Sequence, residues 1–291
     1  MRSAFVETST TILEQDDRVV VILGDIGVFG FRNAFNEYPL RVFNLGILEQ
    51  SMVGVGAGFS LGGHIPILHT IAPFLAERAL EQIKIDFAYQ ELPGNLVTVG
   101  GSFDYSALGG THHSPGDVGI LLNVPSVEIF VPGTASEFSK LLIENYDNQY
   151  LSYFRLSEFP NEHSFEVQSG RGVLLQQGSR ALVIAVGPTL NYVLPAVQNL
   201  DVTVLYLTSL RPFDEESVRK LADSGNILIV EPFYEGTTSL PVLTALAGKS
   251  VKIRSVGLPR RFMRGYGSNS EQLASIGFSS ETIRKYLKEL C

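Results

Sequence analysis

Short, unbroken apolar runs alternate with amphipathic stretches along most of the chain. Residues 3–14 carry a helical spacing, with Phe5, Ile12 and Leu13 on one side, and Arg18–Leu23 (RVVVIL) follows as a continuous apolar run of strand length. Runs that are apolar at every position mark strands covered on both faces, as in parallel sheets. The pattern then predicts a strand at 41–44, a helix at 46–61, a strand at 65–68, a helix from Pro73 to about Tyr89 and a strand at 96–99. Pro73 sits at the first helical position, where its missing N–H costs nothing. A glycine-rich loop, 100–117, leads to strands at 127–131 and 151–155 around a helix at 135–145.

The alternation lapses from Ser157 to Ser169, which is polar and irregular, and then resumes. Strands are predicted at 181–186, 202–207, 227–230 and 251–256, with helices at 189–199, 214–223, 237–247 and after Ser279. The expected fold is α/β: two successive three-layer α/β domains with mostly parallel sheets, residues 1–160 and 171–291, joined by a linker at 161–170. From Gln50 to Ala76 there are 27 residues without Asp, Glu, Lys or Arg. That is long enough to imitate a membrane span, but Gly62-Gly63-His64 and Pro66 divide it into a helix and a strand, so it reads as buried interior.

At 291 residues, two domains each have enough chain for a core. A net charge of −8 without a basic cluster argues against a nucleic-acid partner. The N-terminus lacks the layout of a signal peptide, and the one cysteine, Cys291, permits neither a disulfide framework nor a cysteine metal site. A reducing cytoplasm is the expected location, with no membrane association. Mean hydropathy of +0.16 hints at surface covered by another chain. The helix carrying Gly54, Gly56 and Gly58 is the natural place for close backbone approach.

Chemistry concentrates where Phe43-Asn44-Leu45-Gly46-Ile47-Leu48-Glu49-Gln50 turns from strand to helix. Glu49 is the only carboxylate at the head of an otherwise uncharged helix. Two readings stand: with Gly46 as N-cap it sits three residues on, where it can cap the helix and meet its dipole, or it is a buried acid with a task.

Asn44-x-Gly46-Ile47-x-Glu49-Gln50 ahead of a Gly/Ala-rich helix resembles the signature of the pyrimidine-binding domain of transketolase-type thiamine diphosphate enzymes. The resemblance extends to Arg2–Phe5, Gly24-Asp25, Thr70–Ile83 and Gly110–Ser114. It also covers Leu210–Asp214 and Val230-Glu231, which match the family's largely structural C-terminal domain. In that family the Glu is catalytic: a carboxyl facing a nitrogen of the cofactor's aminopyrimidine lets that ring act as a base. A carboxyl withdrawn from water is suited to sharing its proton.

The resemblance implies further roles. Phe74 and Ile71 would wall the aminopyrimidine, Ile71 standing where the family has an aromatic, although Phe74 also fits an ordinary core position. Asp25 would join the cofactor site. Thr111-His112-His113-Ser114 matches the family's Thr-His loop, in which the first histidine faces the donor's reacting carbon. A histidine exchanges protons near neutrality, though a loop pair of this kind also fits a surface feature or half a metal site, for which no third ligand is recognisable at useful spacing. Arg155 would hold an anionic acceptor such as a sugar phosphate, or a structural salt bridge. The family's Gly-Asp-Gly run, which binds diphosphate and Mg2+, is absent. The resemblance therefore implies the C-terminal subunit of a split transketolase, completed by an N-terminal, diphosphate-binding subunit in a heterotetramer of two plus two chains.

In ordinary members an Asp three residues before the Thr and an earlier loop histidine hold the sugar donor. Here those positions fall on Leu108 and, approximately, Gly100, so the expectation is a modified donor, with Asp104 or Tyr105 making substitute contacts alongside His112 and His113. Three rival readings remain: the beta subunit of a 2-oxoacid dehydrogenase, a deoxyxylulose-phosphate synthase-like enzyme, and a non-catalytic assembly subunit.

Overall fold

The computed structural model describes residues 1–291. Twelve strands form in chain order: β1 Val19–Leu23, β2 Val42–Asn44, β3 Ile65–Ile71, β4 Gly94–Val99, β5 Val127–Phe130, β6 Leu151–Arg155, β7 Val173–Gln176, β8 Leu182–Val186, β9 Thr203–Leu207, β10 Ser209–Arg211, β11 Asn226–Tyr234 and β12 Lys252–Leu258. They make a seven-stranded sheet of order β10-β5-β6-β4-β3-β1-β2 and a five-stranded sheet of order β12-β11-β8-β9-β7. All pairs are parallel except β10 with β5 and β7 with β9, each at a sheet edge. Helices cover both sheets, and every residue of β1, β3, β4, β6 and β8 is buried: β1 and β8 are apolar throughout, while β3, β4 and β6 also bury polar side chains such as Thr70 and Arg155. No helix is long and apolar enough to cross a membrane.

The two halves are not packed as separate beads. β10, from the second half of the chain, pairs with β5 of the first sheet through Ser209–Phe130 and Arg211–Ile129. Arg211 then donates to the carbonyls of Leu122, Val124 and Val127 at 2.6–3.1 Å. Behind the sheet, the capping box of helix Ala135–Asn145 is built from Thr134 and Glu137. The same Glu137 carboxylate accepts from Tyr206 Oη at 2.8 Å and from the backbone of Phe165 at 3.1 Å. A helix cap in one half is thereby tied to β9 of the other and to the segment between them.

Where the fold departs from the sequence reading, local reasons are visible. The helix expected from Pro73 to Tyr89 is broken into Ala72–Ala76, a turn at 77–79, Leu80–Gln82 and a π-helical turn Ile83–Ala88. β7 and β10 carry no clear strand signal because one is a partly exposed antiparallel edge and the other only three residues long. Short helices at Arg32–Glu37, Asp117–Leu121 and Asn269–Ser275 lie in segments to which the sequence pattern assigned neither helix nor strand.

Candidate active site

The carboxyl ends of the central strands of the first sheet converge, as ligand sites do in open α/β folds. β2 ends at Asn44, and the chain turns through Gly46, whose φ of +73° lies in the left-handed region that favours glycine. Leu48 then caps the helix and Glu49 is its first residue. The capping reading of Glu49 is thereby corrected: it stands at the first helical position instead of three residues beyond the cap, and its carboxylate is used across the fold. Glu49 Oε1 accepts from Thr70 Oγ1 at 3.1 Å and Oε2 from Arg78 Nη1 at 2.5 Å. The residue is only 1% exposed. Thr70 belongs to β3 and lies beside Gly24, the residue after β1, where an added Cβ would be 3.0 Å from its side chain.

Asp25 follows that glycine, exposed at the end of β1, with φ of 66°. Its backbone N–H donates to Asn44 Oδ1 at 2.9 Å, and its Oδ1 accepts from Asn44 Nδ2 at 3.3 Å, which ties the ends of β1 and β2 together. Ile71 is nearly buried at the end of β3, and Phe74 is half-buried in the helix that begins there. The Arg78 guanidinium carbon lies 4.2 Å from the centre of the Phe74 ring. The ring of His112 meets Phe74 edge-on, with centroids 5.1 Å apart and planes at 68°. Thr111 Oγ1 lies 2.9 Å from His112 Nδ1, and Nε2 is not part of that contact. Glu49, Arg78, Phe74 and His112 thus form one continuous row.

Three other sequence-derived candidates are placed differently. Arg155 is 2% exposed and its Nε donates to Asp117 Oδ2 at 2.7 Å. Its Nη2 reaches Ser102 Oγ at 3.0 Å and the carbonyl of Ser114 at 3.1 Å, and Phe233 lies under the guanidinium. Of its two readings the structural salt bridge is the one realised, and the expectation of an anion-holding arginine is corrected: no face of this group meets solvent. His113 is likewise turned inward, 8% exposed, against Phe103 at 4.9 Å, where burial lowers its pKa. Asp104 is occupied too, accepting from Ser157 Oγ at 3.1 Å and from the Glu158 N–H at 2.9 Å. Burial pushes its pKa up to about 7 despite those donors. These three fasten the histidine loop to the rest of the protein.

The two missing donor contacts have distinct fates. Leu108 is 53% exposed on the 3-10 turn Ser106–Thr111. At Gly100, a Cβ would fall 2.3 Å from the ring of Tyr105, so the tyrosine occupies the space that a side chain at position 100 would fill. Its ring lies 6.4 Å from that of His112.

Sequence reasoning did not single out Arg78, Thr70 or Asp117 for roles in the site. Arg78 was the most discoverable, because it stands four residues after Phe74, a spacing that puts two side chains on one helical face. The pairing of Arg155 with Asp117, 38 residues apart, has no local signal.

The chain matches the family description "Transketolase, pyrimidine binding domain" over residues 1–159 and "Transketolase, C-terminal domain" over residues 170–283. It belongs to the transketolase family. An uncharacterized 33.6 kDa protein in the fasciation locus of Rhodococcoides fascians is 38% identical over 272 residues, spanning 92% of this chain and 87% of that one. An apulose-4-phosphate transketolase subunit of Phocaeicola vulgatus is 29% identical over 297 residues, spanning 98% and 95%. A solved structure titled "Split gene transketolase, inactive beta4 tetramer" superposes with a TM-score of 0.87 at 24% identity, covering 99% of this chain and 97% of that one, and shares the fold.

Membership in the transketolase family implies thiamine diphosphate, and the residues present fit its aminopyrimidine end. A buried carboxyl, an aromatic face and an apolar wall at Ile71 are what a flat ring bearing an amino group and ring nitrogens requires.

Proposed function

We propose that this chain is the C-terminal subunit of a split transketolase, transferring a two-carbon ketol unit between sugar substrates in a site shared with a diphosphate-binding subunit. The observation that carries this reading is the row in which Glu49, the Phe74 face and His112 stand in sequence at the strand ends. Thiamine diphosphate, when bound, supplies the nucleophilic carbon and accepts the electrons released as the donor's carbon–carbon bond breaks. Glu49 holds and exchanges a proton at its carboxylate oxygen, Phe74 orients the ring against its face, and His112 Nε2 gives and takes the proton of a substrate oxygen. Mg2+ and the diphosphate are assigned to the partner. The Gly-Asp-Gly run that binds both in the family is missing from this chain.

Partner dependence draws support from the outer face of helix Glu49–Leu61. Gln50, Ser51, Val55, Gly58 and Leu61 are exposed there, and a Cβ at Gly58 would meet nothing within 4 Å. An uncharged helical surface with room for a second backbone suits a subunit interface, and two copies of this chain with two partner chains are the proposed assembly. For the donor, Tyr105 filling the space beside Gly100 and Leu108 replacing an acid favour a sugar lacking the usual hydroxyl contact.

The test is reconstitution with the co-expressed N-terminal subunit, followed by measurement of ketol transfer from a panel of ketose phosphates and modified ketoses, with pyruvate and lipoyl acceptors in parallel. Transfer from a modified ketose in preference to xylulose 5-phosphate is expected. Acylation of lipoyl groups, dependence on pyruvate, or absence of any thiamine diphosphate-dependent turnover would overturn the reading.

A further inference from the structure

A free aminopyrimidine ring would need two things from this chain: a carboxyl group to share a proton with a ring nitrogen, and an aromatic face to lie upon. Both are already engaged by one side chain. The Arg78 guanidinium is bonded to Glu49 Oε2 at 2.5 Å and lies 4.2 Å from the centre of the Phe74 ring. A guanidinium is planar, delocalised and bears several N–H donors in one plane. In flat shape, stacking behaviour and the N–H groups at its edge it resembles the amino-bearing side of a small heterocycle. The other Glu49 oxygen is held by Thr70, 1% exposed on a central strand. Arg78 is therefore the partner that can leave: its side chain is 40% exposed, and its backbone lies in the turn at 77–79 that interrupts the expected helix.

We propose that Arg78 is an internal stand-in for the cofactor's ring, so that the space between Glu49 and Phe74 is a site for flat, nitrogen-bearing groups, closed by the chain's own guanidinium until cofactor and partner arrive together. This inference rests on the transketolase reading and adds to it the expectation that the isolated subunit refuses the cofactor. The refusal would lie in occupancy of the ring site as well as in the missing diphosphate half. The stand-in also satisfies a buried carboxylate that would otherwise be left unpaired in the free subunit, a situation that strongly disfavours the folded state. Loading then exchanges one planar group for another, and Arg78 swings outward through the exposed side of the turn. A site populated in its open form only part of the time binds its ligand more weakly by that fraction.

The experiment uses the full chain without its partner and a ligand that lacks the diphosphate, so that only the ring site is probed. Calorimetry with 4-amino-5-hydroxymethyl-2-methylpyrimidine would be run on the wild type, on Arg78→Met, which keeps reach and removes the planar cation, and on Arg78→Lys. Lysine retains a charge for Glu49 but cannot lie flat on Phe74. We expect Arg78→Met to bind about tenfold or more tightly than the wild type, with Arg78→Lys between them. We also expect added methylguanidinium to compete with the pyrimidine in Arg78→Met. Equal or weaker binding in both variants overturns the proposal, and if Arg78→Met does not fold by circular dichroism, Arg78→Lys decides it alone. The complex of wild-type chain and partner is titrated with thiamine diphosphate alongside. Binding there with no gain in the variants refutes the stand-in and leaves the transketolase reading intact, whereas no binding in the complex refutes both.

Discussion

Arg155 and Asp117 form an ion pair at 2.7 Å in which neither side chain is more than 1% exposed. Asp117 Oδ2 also accepts from Tyr153 Oη at 2.8 Å, so two buried donors share one carboxylate oxygen. A buried pair that loses one partner leaves an uncompensated charge.

Arg155→Met is accordingly expected to destabilise the chain by about 3–5 kcal/mol, with a comparable loss for Asp117→Ala. Urea unfolding monitored by circular dichroism measures it. A variant of near wild-type stability but with raised KM for a phosphorylated acceptor would show that the arginine meets substrate after all.

Glu49→Gln preserves volume and removes the exchangeable proton, and its partner Arg78 can turn to solvent. With the partner subunit present, turnover should fall roughly 100- to 10,000-fold while the unfolding midpoint changes little. Retention of most of the turnover would return Glu49 to a structural role.

Position 100 tests the tyrosine that has moved into its space. Gly100→Ala combines a φ of +77° with a Cβ 2.3 Å from the Tyr105 ring. It should cost more than about 1 kcal/mol of stability. Tyr105→Ala in the same chain should recover the steric part of that loss and not the backbone part. An equal loss with and without the tyrosine would place the ring elsewhere.

Asp104 makes the chain's stability depend on pH. Its folded pKa is raised by burial to about 7 from an ordinary 3.8, so between those values the folded state holds a proton that the unfolded state has released. Stability contributed by the protonated acid is present below the unfolded pKa and is lost as pH rises towards 7. Glu231, also buried, is raised to about 7 and adds a loss of the same sign. Asp104→Asn should therefore flatten the decline in unfolding free energy between about pH 4 and pH 7. An unchanged slope across that range would assign the dependence to Glu231 and other groups.

Gly58→Arg probes the proposed subunit surface without disturbing the fold, because a side chain there enters open space. Sedimentation of the mixed subunits should show loss of assembly, with an unaltered circular dichroism spectrum. Full assembly by the variant would move the interface off this helix.

What the sequence disclosed followed from how local each feature is. Continuous apolar runs such as Val19–Leu23 and Leu182–Val186 gave the buried parallel strands within a residue or two, because every position in them faces a covered surface. The helix predicted at 135–145 is likewise observed at Ala135–Asn145, and the structure shows that a capping box of Thr134 and Glu137 sets its start. The break at 77–79 was invisible, because Glu77-Arg78-Ala79 contains no helix-breaking residue and the turn is imposed by tertiary packing. In the candidate site, Glu49, Phe74 and His112 were singled out through a motif and its order, and the structure places them close together. Their neighbour Arg78 and the inward burial of His113 and Arg155 depend on which residue meets which across the sheet, which spacing along the chain does not encode.

The crossing of β10 into the first sheet bears on any attempt to cut this protein in two. A first half ending near residue 170 would lose the strand that covers β5, leaving a row of unpaired backbone donors and acceptors beside Val127–Phe130. Such an edge invites pairing with whatever strand arrives next, most readily another copy of the same fragment. The second half alone would carry Ser209–Arg211 as an unpaired strand. Each fragment would thus be a sticky end for the other, and the pair expressed together is the form in which a divided chain would remain in solution.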